Sequence, residues 1–93
     1  VGGRAALAVG KRLASLAADR QVIVVTHLPQ VAAYAGTQAV VRRQEGEQGA
    51  STDVVAVDGE ARLAELARML SGNDSETARA HASELLRLAI VAR

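Results

Sequence analysis

The sequence predicts a mixed α/β fold with one buried strand of the parallel type, a β-hairpin and three to four helices. Three observations lead there. Apolar residues recur at helical spacing near both ends of the chain, four consecutive β-formers stand at Val22-Ile23-Val24-Val25, and two further β-compatible runs flank a polar, glycine-containing stretch.

The first helix follows a glycine turn. Ala6, Val9, Leu13 and Leu16 are spaced by three and four and form its expected core face, while Arg4, Lys11, Arg12 and Asp19 fall largely elsewhere. Residues 22–25 are too few for a helix, and their lack of alternation predicts a strand covered on both faces, as in parallel sheets. Thr26-His27-Leu28-Pro29 ends that strand, and Pro29 suits the first turn of a short helix running through Val31, Ala32, Tyr34 and Ala35, with Gly36 as its stop. Residues 38–43 and 52–57 read as antiparallel strands joined by a loose loop over residues 44–49. Asp58 and Gly59 lead into a helix carrying Leu63, Leu66, Ala67 and Leu70, which Gly72 closes. Asn73-Asp74-Ser75 caps a last helix from about residue 76, on which Ala78, Ala82, Leu85, Leu86 and Ala89 gather towards one face.

Composition narrows the functional classes. The chain has 93 residues, 49% of them hydrophobic, yet Tyr34 is the only aromatic, so Leu and Val must supply nearly all the core's bulk. A net charge of +1, with acids and bases interspersed along the chain, announces neither a nucleic-acid face nor an acidic tail. The absence of cysteine excludes a disulfide scaffold and a thiolate metal site. No apolar run approaches a bilayer span, and the start lacks the order of a signal peptide. The chain begins at Val1 rather than Met, and a parallel-type strand with no parallel neighbour implies that its sheet partners precede Val1. A single domain over residues 1–93, incomplete by itself, is the expectation.

The chemistry gathers at Thr26 and His27. A strand end followed by a helix is where open α/β sheets bind ligands, and an imidazole there can donate a hydrogen bond to a phosphate oxygen. A lone histidine at such a place more commonly bonds a nearby carbonyl. His81, set among alanines in the last helix, reads as solvent-facing or packed, since no second ligand stands at metal spacing. Arg42 and Arg43, followed by Glu45 and Glu47, read as a solvated strand edge.

The segment VIVVTHLPQVAAYA, with VGGRAA before it and LARML and DSETA after it, resembles the RecN family, SMC-like members of the ABC ATPase superfamily. The similarity covers nearly the whole chain and implies the C-terminal part of a P-loop (ABC-type) ATPase head. It implies that His27 is a switch histidine touching the γ-phosphate of ATP, that Val1, Gly2 and Gly3 end the D-loop, and that Thr26 contributes to nucleotide contact. The implied cofactors of the intact protein are ATP and Mg. The implied partners are the remaining N-terminal part of the same head, a second head in a homodimer and DNA, with no membrane. The implied place is the cytoplasm, in association with the nucleoid. The implied role is ATP-dependent repair of double-strand breaks.

Departures from a complete head are equally clear. No G-x-x-x-x-G-K-[ST] and no apolar strand ending in Asp-Glu occurs, so Walker A, signature and Walker B elements are absent and the chain alone is not expected to hydrolyse ATP. Two other readings remain open: the head of another SMC-like or ABC ATPase, and a non-enzymatic interaction module whose Leu63, Leu66, Leu70 and Leu85 dock a partner.

Overall fold

Helix, short helix, hairpin, helix, helix is the order found in the computed structural model, which describes residues 2–92. The elements are α1 (Gly3–Leu16), α2 (Pro29–Ala32), β1 (Gln38–Gly46), β2 (Gly49–Val57), α3 (Gly59–Ser71) and α4 (Glu76–Ala92). Local chemistry sets several bounds. Gly72 ends α3 with φ +82°, a left-handed conformation that a side chain resists, and its N–H donates to the Arg68 carbonyl. Ser75 starts α4: its hydroxyl accepts the Ala78 N–H at 3.1 Å, the N-cap-to-N3 bond.

The core forms where three helices converge on α2. Ala33 and Tyr34 pack with Leu85 and Ala89 of α4, flanked by Leu7 and Ala14 of α1. Leu66 and Ala67 of α3 pack with Ala78 and Ala82 of α4, and Ala32 touches this second cluster. Leu70 and Leu86 border both groups. Alanine at the contacts lets the helices approach closely, and Leu66 is the one large side chain fully buried among the described residues.

On α1 the expected face holds at Ala6, which is buried, and at Leu13 and Leu16, which are half-buried, but departs at Val9. Ala6 and Gly10 are buried, with Leu7 and Ala14 beside them, whereas Val9 is 48% exposed. The Tyr34 ring decides this. A Cβ built on Gly10 would stand 2.6 Å from Tyr34 Cδ2 and 3.1 Å from the Gln30 carbonyl oxygen, so only glycine lets α1 lie against the only aromatic ring. Gly10→Val is therefore expected to destabilise the α1–α2 contact by about 2 kcal/mol through overpacking. Hydrogen exchange of the α1 and α2 amides in the complete protein measures this, and unchanged protection would show that the contact is not made.

Residues 22–25 do not form the buried strand expected of them. Residues 21–26 belong to no helix or strand, and among the described residues their main-chain groups make no backbone hydrogen bond. Val25 is 100% and Ile23 82% exposed. A strand exists only through a hydrogen-bonded neighbour. The two strands present pair with each other alone, antiparallel, from Gln38 opposite Val57 to Gly46 opposite Gly49. The hairpin is longer and its turn tighter than the sequence reading has it. Only Glu47 and Gln48 lie between the strands, and Gly49 carries φ +107°, as in hairpins whose type I turn is followed by a left-handed glycine.

Much apolar surface stays open. A chain of 9.6 kDa has an accessible surface of 6540 Å², against about 5,100 Å² for a self-contained protein of that mass. Large apolar side chains left open include Ile23 and Val25, Val9, the outward pair Val41 and Val54 of the hairpin, and Ile90 and Val91 near the end of α4.

Candidate functional site

Thr26 turns the chain. Its hydroxyl oxygen accepts the Leu28 N–H at 3.0 Å, a short side-chain-to-backbone loop of the kind threonine forms two residues ahead of a donor. Leu28 is the N-cap of α2, extended at φ −97°, ψ 113°, and its carbonyl accepts the N–H groups of Val31 and Ala32, each at 3.1 Å. Pro29 follows at the first helical position, where a missing N–H costs nothing, and is buried. His27 thus sits between two fixed points of backbone. Its side chain is exposed and makes no hydrogen bond or ion pair among the described residues.

Gly2 caps the start of α1 with extended backbone, and its carbonyl accepts the Ala6 N–H at 3.0 Å. A Cβ on Gly3 would stand 3.8 Å from Gln30 Nε2, so the start of α1 lies beside the segment that carries His27. The sequence-predicted residues Gly2, Gly3, Thr26 and His27 therefore come from two pieces of chain that meet at Gln30. Val1, joined to the glycines in the sequence reading, lies outside the described residues.

At the other end of α2 stands a residue that the sequence reading passed over. Arg62, half-buried on α3, donates from Nε to Gln38 Oε1 at 3.0 Å. Its Nη2 faces three carbonyl oxygens at the end of the short helix: Ala35 at 2.8 Å, Ala32 at 3.2 Å and Ala33 at 3.3 Å. Two hydrogens face three acceptors, so at least one bond is shared. Gln38 is the single buried polar residue among those described, and its amide nitrogen approaches Met69 Sδ at 3.9 Å. Helical spacing was the available signal. Arg62 precedes Leu66 by four residues, which places it on the apolar side of α3 rather than on the solvent side.

Other candidates resolve simply. His81 is exposed on α4, and no group of three or more His, Asp or Glu residues among those described is placed to hold a metal ion. Arg43 pairs with Glu45 at 3.3 Å on the exposed strand edge. Arg79 ties the start of α4 to the preceding turn through both oxygens of Asp74, at 2.9 and 3.0 Å, and also reaches Glu60 on α3. Leu66 and Leu85 are buried in the core with Leu63 and Leu70 packed around them, so the leucines considered for partner docking are occupied within the chain. Among the described residues no helix is long and apolar enough to cross a membrane.

Fold and site together define a mixed α/β segment that presents one unengaged histidine from a pinned loop, with an open apolar strand-like stretch immediately before it. No family model matches the chain. Curated relatives do. The chain is 54% identical over 90 residues to the DNA repair protein RecN of Streptomyces coelicolor, 61% over 87 residues to that of Mycobacterium leprae and 50% over 86 residues to that of Deinococcus radiodurans. These matches cover 92–96% of the chain and 14–16% of the relatives' length. Over nearly its whole length the chain matches the C-terminal part of RecN proteins.

Proposed function

We propose that this chain completes an ATP-driven head of a RecN-type protein, with His27 as the residue that contacts the γ-phosphate of ATP. Similarity to proteins named for DNA repair supports the wider role. The observation that carries the finer reading is the state of His27: backbone held on both sides, imidazole exposed and unengaged. His81 is equally exposed but lies within α4, whereas His27 is held by a turn directly after an open apolar stretch, with its nitrogens available to a ligand. In its neutral form the ring has one N–H to donate and one lone pair to accept with, enough to join a phosphate oxygen to a second donor.

In this reading the remaining part of the head lies along residues 22–25 and Val9. That covering would give residues 22–25 the strand neighbours they lack and bury the apolar groups now open to solvent. The phosphate-cradling loop, the Mg-holding Asp and the water-orienting Glu belong to that part. Gly2 and Gly3 would end the D-loop and admit the backbone of a second head, so that ATP binding joins two heads and hydrolysis frees them. DNA is the partner of the intact protein. The interaction-module reading is weakened because its docking leucines are packed in the core.

The test uses the complete protein and an ATP analogue bearing an aryl azide on the γ-phosphate. Photolysis is expected to label the tryptic peptide of residues 21–42, which contains His27, and excess ATP is expected to suppress the label. Labelling confined to other peptides would overturn the assignment.

A further inference from the structure

We infer that Arg62 is a positioning residue for His27, acting from the opposite end of α2. The inference rests on the reading of His27 as a γ-phosphate contact and adds to it the device that aims the ring. A four-residue helix cannot hold its own direction, because a single turn lies below the length at which helices are self-supporting. Its N-terminal side is fixed locally by Thr26 and Leu28, which set the shape of the loop but not the tilt of the loop and helix together. Tilt is set where the segment meets the rest of the fold. The carbonyls at the end of α2 are short of helical partners, Ala32 keeping only the Ala35 N–H at 3.0 Å, and the planar guanidinium gathers three of them.

The chain of support behind that guanidinium is rigid at each link. Gln38 holds its Nε edge, and Gln38 is itself buried against Met69. Arg62 stands one turn before Leu66 and Ala67, which are fully buried between α3 and α4. Packing through Val31 and Tyr34 buries the α2 segment without fixing its rotation, because apolar contact is non-directional. The hydrogen bonds from Arg62 to Gln38 and the α2 carbonyls are directional. A small tilt released at the far end would move the His27 imidazole, and a displacement of about 1 Å at a reacting centre can cost on the order of 10²-fold in rate.

The experiment is a double-mutant cycle on ATP turnover in the complete protein, with His27→Ala, Arg62→Lys and the pair. Lysine keeps the charge and most of the stem, but one ammonium cannot serve Gln38 and the α2 carbonyls together. Arg62→Lys is expected to lower kcat about tenfold with KM for ATP within about twofold, and the double variant is expected to turn over no more slowly than His27→Ala. Effects that multiply in the double variant, or normal kcat in Arg62→Lys, would overturn the inference while leaving His27 in its role. Wild-type turnover in His27→Ala would instead remove the underlying reading, and the positioning role with it.

Discussion

Replacing His27 by alanine in the complete protein is expected to lower ATP turnover by roughly 10²–10³-fold, the range seen when one donor to developing charge is removed from an active site. Stability should hardly change. The side chain is exposed and bonded to nothing among the described residues, so its loss leaves no cavity and no orphaned partner. The melting temperature is therefore expected to stay within about a degree or two, in line with the effect of a neutral surface substitution. ATP affinity should fall little, because the proposed head has its phosphate-cradling loop in the remaining part of the protein. His27→Gln should recover part of the lost rate, since the amide can still donate to a phosphate oxygen. Steady-state kinetics with a parallel melt checks all of this. A turnover loss that tracks a loss of stability would mean that His27 is structural.

The sequence shows the two C-terminal helices clearly because local chemistry marks their bounds. Gly72 and Ser75 cap where their types predict, and the leucine spacing of α3 and the Ala/Leu spacing of α4 match the faces that pack. On α1 the same periodicity admits two neighbouring stripes. Choosing between them needs the Tyr34 ring, which arrives from another part of the chain and accepts only Gly10 opposite it. Residues 22–25 carry the composition of a covered strand, yet strand formation is a property of a pair, and the pattern alone does not supply the neighbour. In the hairpin's turn, a run of polar residues with two glycines resembles a loose loop. A left-handed Gly49 instead allows pairing to continue to the turn itself. Site residues divided in the same way. His27 is visible from its place after four β-formers, whereas Arg62 hides in the charged string from Asp58 to Arg62 and shows its role only when α2 is laid against α3.

Arg62→Ala should destabilise the fold of this segment by about 3 kcal/mol. Four acceptors lose a donor at once: Gln38 Oε1 and the carbonyls of Ala33, Ala35 and Ala32, the last of which keeps the Ala35 N–H. Hydrogen bonds from a charged group contribute about 1.5–3 kcal/mol each, but these are coupled through one guanidinium and do not add. Water limits the loss further. Ala32 and Ala35 are half-buried, so solvent can reach part of what the arginine served, while Gln38 and Ala33 are buried and cannot be resolvated without opening the contact between α2 and α3. The predicted signature is local. Amide exchange should accelerate in α2 and at the start of α3, with the α3–α4 contact around Leu66 and Ala82 less affected because alanine and leucine packing there is independent of Arg62. Equal acceleration across α4 would mean that Arg62 supports the whole helical core. Protection unchanged in α2 would mean that apolar packing of Val31 and Tyr34 holds the segment without it, and the path from α3 to His27 would lose its first link.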